Sequence, residues 1–179
     1  MWAVNGPPPT VLPREPLLLV TNHVLAGAVI GVFTRRPAVA LAVGVASHLA
    51  MDVVPHWGIP DHVTGRDREE RFLHVARRDG LAGLAAMAAA FGLARGRRRT
   101  VLAGMVGAAL LDVEKPARHF FGISPFPAAV DRFHADIQVG REHGHKMRQE
   151  LAVGAGLVAA VAALSCLPWP DGIVLRADR

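Results

Sequence analysis

The residues of this chain best placed to do chemistry are histidines and aspartates that stand within or at the ends of apolar stretches. His48 and Asp52 are spaced i, i+4, so both fall on one face of a helix. An imidazole and a carboxylate placed this way can bind one cation together, or act as a ligand and the group that orients it. Pro55 then ends the helix, because the residue before a proline avoids the α region, and the turn can bring His56 back toward the same point. Thr21-Asn22-His23 supplies a further imidazole early in another apolar stretch, Asp79 immediately precedes a third, and Asp112 and Glu114 close a fourth. Farther along, Asp131, His134, Gln138 and Glu142 follow at i, i+3, i+7 and i+11, one polar stripe if the segment is helical. A buried pair satisfying only itself would account for His48 and Asp52 alone. Adding His23 and His56 favours a metal site.

The expected ligands are therefore His23, His48, Asp52, His56, Asp112 and His134. Imidazole with carboxylate and no thiolate suits zinc first, then manganese or iron(II). The single cysteine, Cys166, excludes a thiolate cage and an intrachain disulfide. A catalytic metal keeps one position open to water and lowers the pKa of that water. A carboxylate outside the ligand set would then take the proton, and Asp79 and Glu142 are the expected acceptors.

These groups need elements to hold them. The chain has 179 residues, 51% of them hydrophobic, with a mean hydropathy of +0.29. Five apolar stretches, at 17–33, 39–54, 81–94, 101–111 and 151–167, are rich in Ala, Leu, Val and Gly and lack the short alternation of strands. The expected fold is an all-α bundle of about five short helices, embedded in a membrane, with two long, partly helical polar loops on one side. Gly27-x-x-x-Gly31 puts two small residues on one helix face, a packing signal in lipid. A full span needs about 20 apolar residues, and these runs are shorter, so flanking residues must extend them. Trp57 and Trp169 suit interfacial positions. Residues 1–16, with Pro7, Pro8, Pro9, Pro13 and Pro16, read as a disordered extension, 17–167 as one helical domain, and 168–179 as a tail.

Alternating five helices sorts the ionisable groups. Arg35-Arg36 and Arg95-Gly96-Arg97-Arg98-Arg99 occupy two short loops on one side, which the positive-inside rule makes cytoplasmic. The His and Asp residues all fall toward the other side, expected to be extracytoplasmic. Ionisable groups in membrane helices are costly, and mark functional sites by default.

The stretch from Gly44 through Ser47, His48, Asp52, Pro55 and His56 to Trp57 resembles a family of bacterial membrane proteins of the metal-dependent hydrolase type. Thr21-Asn22-His23 with Gly27, and Phe133-His134 with Ile137-Gln138, fit it too. More distantly, Ser-His-x-x-x-Asp-x-x-Pro-His is similar to the zinc-dependent phospholipase C group. That resemblance implies that His48 and Asp52 are ligands and His56 a third. Two features depart from it. Asp52 and His56 lie closer together, and His134 is followed at i+4 by Gln138 rather than a glutamate.

The function expected from all this is a multi-pass hydrolase of a bacterial inner membrane, acting on a membrane-proximal ester or phosphoester. Its partners would be the bilayer and an anionic lipid or phosphoester. The net charge of +5 carries no nucleic-acid reading motif. A cation transporter or sensor, or a structural membrane protein, would use the same polar residues differently.

Overall fold

In the computed structural model, residues 19–59, 62–139, 141 and 143–167 are described. The segments 1–16 and 168–179, together with Trp169 and Glu142, lie outside them. Among the described residues the chain is all-helical: α1 (Leu19–Phe33), α2 (Pro37–Val53), α3 (Gly65–Leu93), α4 (Arg98–Ala109), α5 (Glu114–Phe121), α6 (Ala128–Gln138) and α7 (Met147–Cys166), with 3-10 turns at Leu111–Val113 and Gly144–Lys146.

α1 is the hub. Val24, Leu25, Ala28 and Val32 are buried in one cluster with Ala90 and Ala94 from α3 and its end, Val101 and Met105 from α4, and Val161 from α7. α4 lies between α1 and α2 and meets both through glycine. A Cβ on Gly27 or Gly44 would collide with the backbone at Gly104. One on Gly31 would strike Val101, and one on Gly107 would strike Leu41. The i, i+4 series Ala40, Gly44, His48 and Asp52 is the buried stripe of α2. Small residues at its start permit backbone contact, and its last two members carry the chemistry.

The outward surfaces are apolar. α2 exposes Val39, Leu41, Val43 and Val53, and α7 exposes Leu151, Val153 and Val158. The second half of α3 exposes Leu81, Leu84, Phe91 and Leu93. The arginines at 35, 36, 95, 98 and 99 are exposed at one end of the bundle. One helix, Met147–Cys166, is long and apolar enough to cross a membrane, and Val20–Phe33 and Pro37–Val53 are shorter apolar helices.

Two expectations need correction. The first long loop, expected to be partly helical, is helical over residues 65–80, and these run without a break into the rest of the 29-residue α3. Strong helix formers with charges of both signs at i, i+4 carry the helix on with no apolar signal, so Asp79 sits inside α3 rather than before it. Residues 114–121 and 128–138 are the helical parts of the second long loop. Trp57 is buried, not interfacial, with 8% of its surface exposed.

Because Gly104 faces α1 and α2 at once, Gly104→Leu should destabilise the bundle by ~3 kcal/mol or more, as overpacking against backbone does. Thermal unfolding of the purified protein measures this, and an unchanged midpoint would contradict the packing described.

Candidate metal centre

Four elements deliver the centre. His23 comes from the second turn of α1, His48 and Asp52 from the end of α2, Asp112 from the 3-10 turn after α4, and His134 from α6. His48 is fully buried, and His23, Asp52 and His134 are nearly so. Asp52 is the focus. Its Oδ1 lies 3.2 Å from His23 Nε2. Its Oδ2 lies 3.2 Å from His48 Nε2 and 3.1 Å from His134 Nε2, and accepts a 2.8 Å hydrogen bond from Gln138 Nε2. His48 Nε2 and His134 Nε2 are themselves 3.0 Å apart.

The His48 tautomer follows from its other nitrogen. Nδ1 lies 2.7 Å from the Ala108 carbonyl oxygen, which can only accept, so Nδ1 carries the hydrogen. In the neutral ring Nε2 then presents a lone pair toward Asp52 and His134. Lone pairs aimed at a carboxylate oxygen repel it, and a cation or a proton between them removes the repulsion. A ring whose far nitrogen donates to a backbone carbonyl is the usual arrangement of a metal-bound histidine. Donor atoms around a tetrahedral ion with 2.0–2.1 Å bonds stand about 3.3 Å apart, close to the 3.0–3.2 Å found here. His48, Asp52 and His134 form one group of ligand atoms able to hold an ion, and His23, His48 and Asp112 form another.

Asp112 stands at the rim of the cluster. Burial alone would raise its carboxyl, but Lys115, with Nζ 3.3 Å away, and the imidazoles of His23 and His48 outweigh that and hold it below the ordinary carboxylate range. His56 does not join the four central groups. It lines a small cavity of about 30 Å³ beside them, with Asn22, His23, Met51, Asp52 and Glu150. Its backbone is pinned: His56 N–H donates to the Arg141 carbonyl, and His143 N–H donates to the His56 carbonyl.

Asp79 is separate. Its carboxylate accepts from the backbone N–H of Val20 at 2.5 Å and of Thr21 at 3.4 Å, and from the Thr21 hydroxyl at 2.7 Å. These are orphan amides of the α1 N-terminus, so Asp79 caps α1 from across the bundle. The expected proton acceptor is thus occupied in holding the helix that carries His23. Glu142, the other expected acceptor, lies outside the described residues. Asp131, at the start of the expected stripe, instead joins Arg118 Nη2 at 2.8 Å and Ser124 Oγ at 2.9 Å, which ties α5 to α6.

Two participants were not found in the sequence, and neither was the role of a third, Gln138. The Ala108 carbonyl is backbone and leaves no residue signal. Gln138 looked like a missing ligand, yet its amide is what a carboxylate at that point needs. Glu150 sits one residue before an apolar stretch, on the side where the other polar groups gather, and that sidedness could have found it.

Comparison with protein-family models, characterised proteins and solved structures finds no match for this chain.

If Asp79 is a cap, Asp79→Ala should cost ~1–2 kcal/mol, the range for losing a helix N-cap, and leave metal content unchanged. Unfolding beside metal analysis reads both, and an Asp79→Ala protein that holds less metal than the wild type would refute the assignment.

Proposed function

We propose that this chain is a membrane-embedded, metal-dependent hydrolase, with a divalent ion, zinc first, held by His48, Asp52 and His134 beside His23 and Asp112. The observation that carries the reading is the convergence of His48 Nε2, His134 Nε2 and Asp52 Oδ2 to 3.0–3.2 Å of one another, with the far nitrogen of His48 tied to Ala108. With a lone pair on His48 Nε2 facing the Asp52 carboxylate, a proton or a cation must lie among these three buried atoms, and a cation can satisfy all three at once.

The distribution of polarity supports the membrane. The apolar residues of α2, α7 and the second half of α3 point outward while the ionisable groups point inward, the reverse of a water-soluble bundle. The 17 residues of α2 reach about 25 Å at 1.5 Å each, against a hydrocarbon core of about 30 Å. Local thinning closes that gap at a small cost. The arginine end is the cytoplasmic side and the metal end the outer one, in a bacterial inner membrane.

A divalent ion in this centre would supply Lewis-acid activation of water for attack on an ester. The chain's own residues do the rest. Ala108 and Gln138 fix the ring and carboxylate that face the ion. α6 covers the centre, and the first half of α3 carries the exposed Arg66, Arg71, Arg77 and Arg78 beyond the apolar layer. Those cations suit an anionic ester at the headgroup level, most plausibly a phosphoester. Transport is less well supported, because glycine-to-backbone contacts fill the bundle between the metal end and the arginine end.

The experiment is metal analysis of detergent-purified protein, wild type against His48→Ala/Asp52→Ala, followed by turnover of a generic phosphodiester. The wild type should retain zinc, and the double variant should hold under about a tenth as much, since removing even an outer-shell partner costs about 10–100-fold in affinity. Equal metal in both would end the metal-site reading. A loaded wild type inert toward both phosphodiesters and carboxylic esters would end the hydrolase reading alone.

A further inference from the structure

The metal end of the bundle displays large apolar side chains. α5 is two turns long and two-sided. Glu114, Lys115, Arg118 and His119 fall on one face, and Ala117, Phe120 and Phe121 on the other. None of its residues is buried. Phe120 is 55% exposed, Phe121 76% and Ile123 66%. Gly122, with a φ of 71°, ends the helix between them, so all three stand around one turn. Phe133 on α6 and Val139 just after it are exposed as well, and Val53 and Val54 continue the series onto the end of α2.

This turn is braced rather than frayed. Arg118 Nε meets Glu114 Oε1 at 2.5 Å, and its Nη2 meets Asp131 Oδ2 at 2.8 Å. Ser124 Oγ donates to Asp131 Oδ1 at 2.9 Å, and Phe126 N–H donates to Ser124 Oγ at 3.1 Å. A turn tied this way holds its phenylalanines outward, which is unfavourable in water and favourable in an apolar medium. Basic side chains accompany it. Arg132, Arg141 and Arg148 are exposed and pair with no acid among the described residues, although α6 also exposes Asp136. An apolar wedge accompanied by arginines fits the boundary of a bilayer containing anionic lipid, where aromatic rings enter the acyl layer and cations meet phosphate. A protein partner fits less well, because the patch runs on into the apolar outer face of α2.

We propose that the segment from α5 to α6 is an interfacial membrane anchor. Phe120, Phe121, Ile123 and Phe133 enter the acyl boundary of the leaflet at the metal end, and the arginines rest on its phosphates. The inference rests on the bundle being membrane-embedded and needs no catalytic role for the centre. Because α6 carries both Phe133 and His134, the anchor also sets the centre at headgroup depth, within reach of a lipid-borne ester.

The test uses the full chain with Cys166→Ser, which removes the single native thiol. One cysteine at a time is added for a nitroxide label: Phe121→Cys at the turn, Val158→Cys on the exposed face of α7, and Arg71→Cys in the charged half of α3. Each protein is reconstituted in vesicles of phosphatidylcholine and phosphatidylglycerol. Electron paramagnetic resonance compares collisions with oxygen, which concentrates in lipid, against collisions with a water-soluble nickel chelate. The label at position 121 should favour oxygen and lie about 5–10 Å into the headgroup and acyl boundary, with position 158 deeper and position 71 in water. Phe133→Cys carries the test if Phe121→Cys does not fold. Position 121 as open to nickel as position 71, with 158 still immersed, would overturn the anchor and leave the membrane reading standing. Position 121 shielded from both probes would overturn the anchor in favour of a protein contact. Nickel access at position 158 as well would overturn both readings.

Discussion

A carboxylate with 2% of its surface exposed sets the terms for everything around it. Left alone, a buried ionised carboxylate is expensive by several kcal/mol, and Asp52 is not left alone. Three imidazole nitrogens and one amide reach it from α1, α2 and α6. Those elements must therefore stay in register to within a few tenths of an ångström. The rest of the fold reads as the means to that end: α1 capped by Asp79, α2 seated on α4 through glycine, and α6 tied back to α5 through Asp131.

Much of this was legible in the sequence, and the missing parts have physical causes. The i, i+4 spacing of His48 and Asp52 fixes a shared helix face whatever the fold, and the alternation of apolar stretches carries His23, Asp112 and His134 to the same end. Apolar runs mark only helix that is buried or faces an apolar surround, so the charged half of α3 and the short α5 and α6 left no such trace. The capping role of Asp79 was not legible, because its partners are amides 58 and 59 residues away. Gln138 was misread because a ligand pattern was sought where a hydrogen-bond donor was required.

Close backbone packing has a functional side. Helices that meet through glycine have no side-chain cushion to rearrange, so sliding one past another forces clashes at once. α1, α2 and α4 thus act as one rigid block, and three of the four elements that supply the centre belong to that block or end it. Preorganisation of this kind favours chemistry, which needs donors fixed before the substrate arrives, over transport, which needs them to exchange sides.

α6 stands apart from that block. Of its 11 residues only His134 is buried, and the helix is held to α2 chiefly through His134 and Gln138, which both reach Asp52. If the centre holds an ion, its retention and the docking of the helix would form a linked equilibrium: whatever free energy the ion gained from His134, α6 would gain in attachment, by the same amount. The helix would then be a clasp that the ion fastens, set apart from the glycine-packed block.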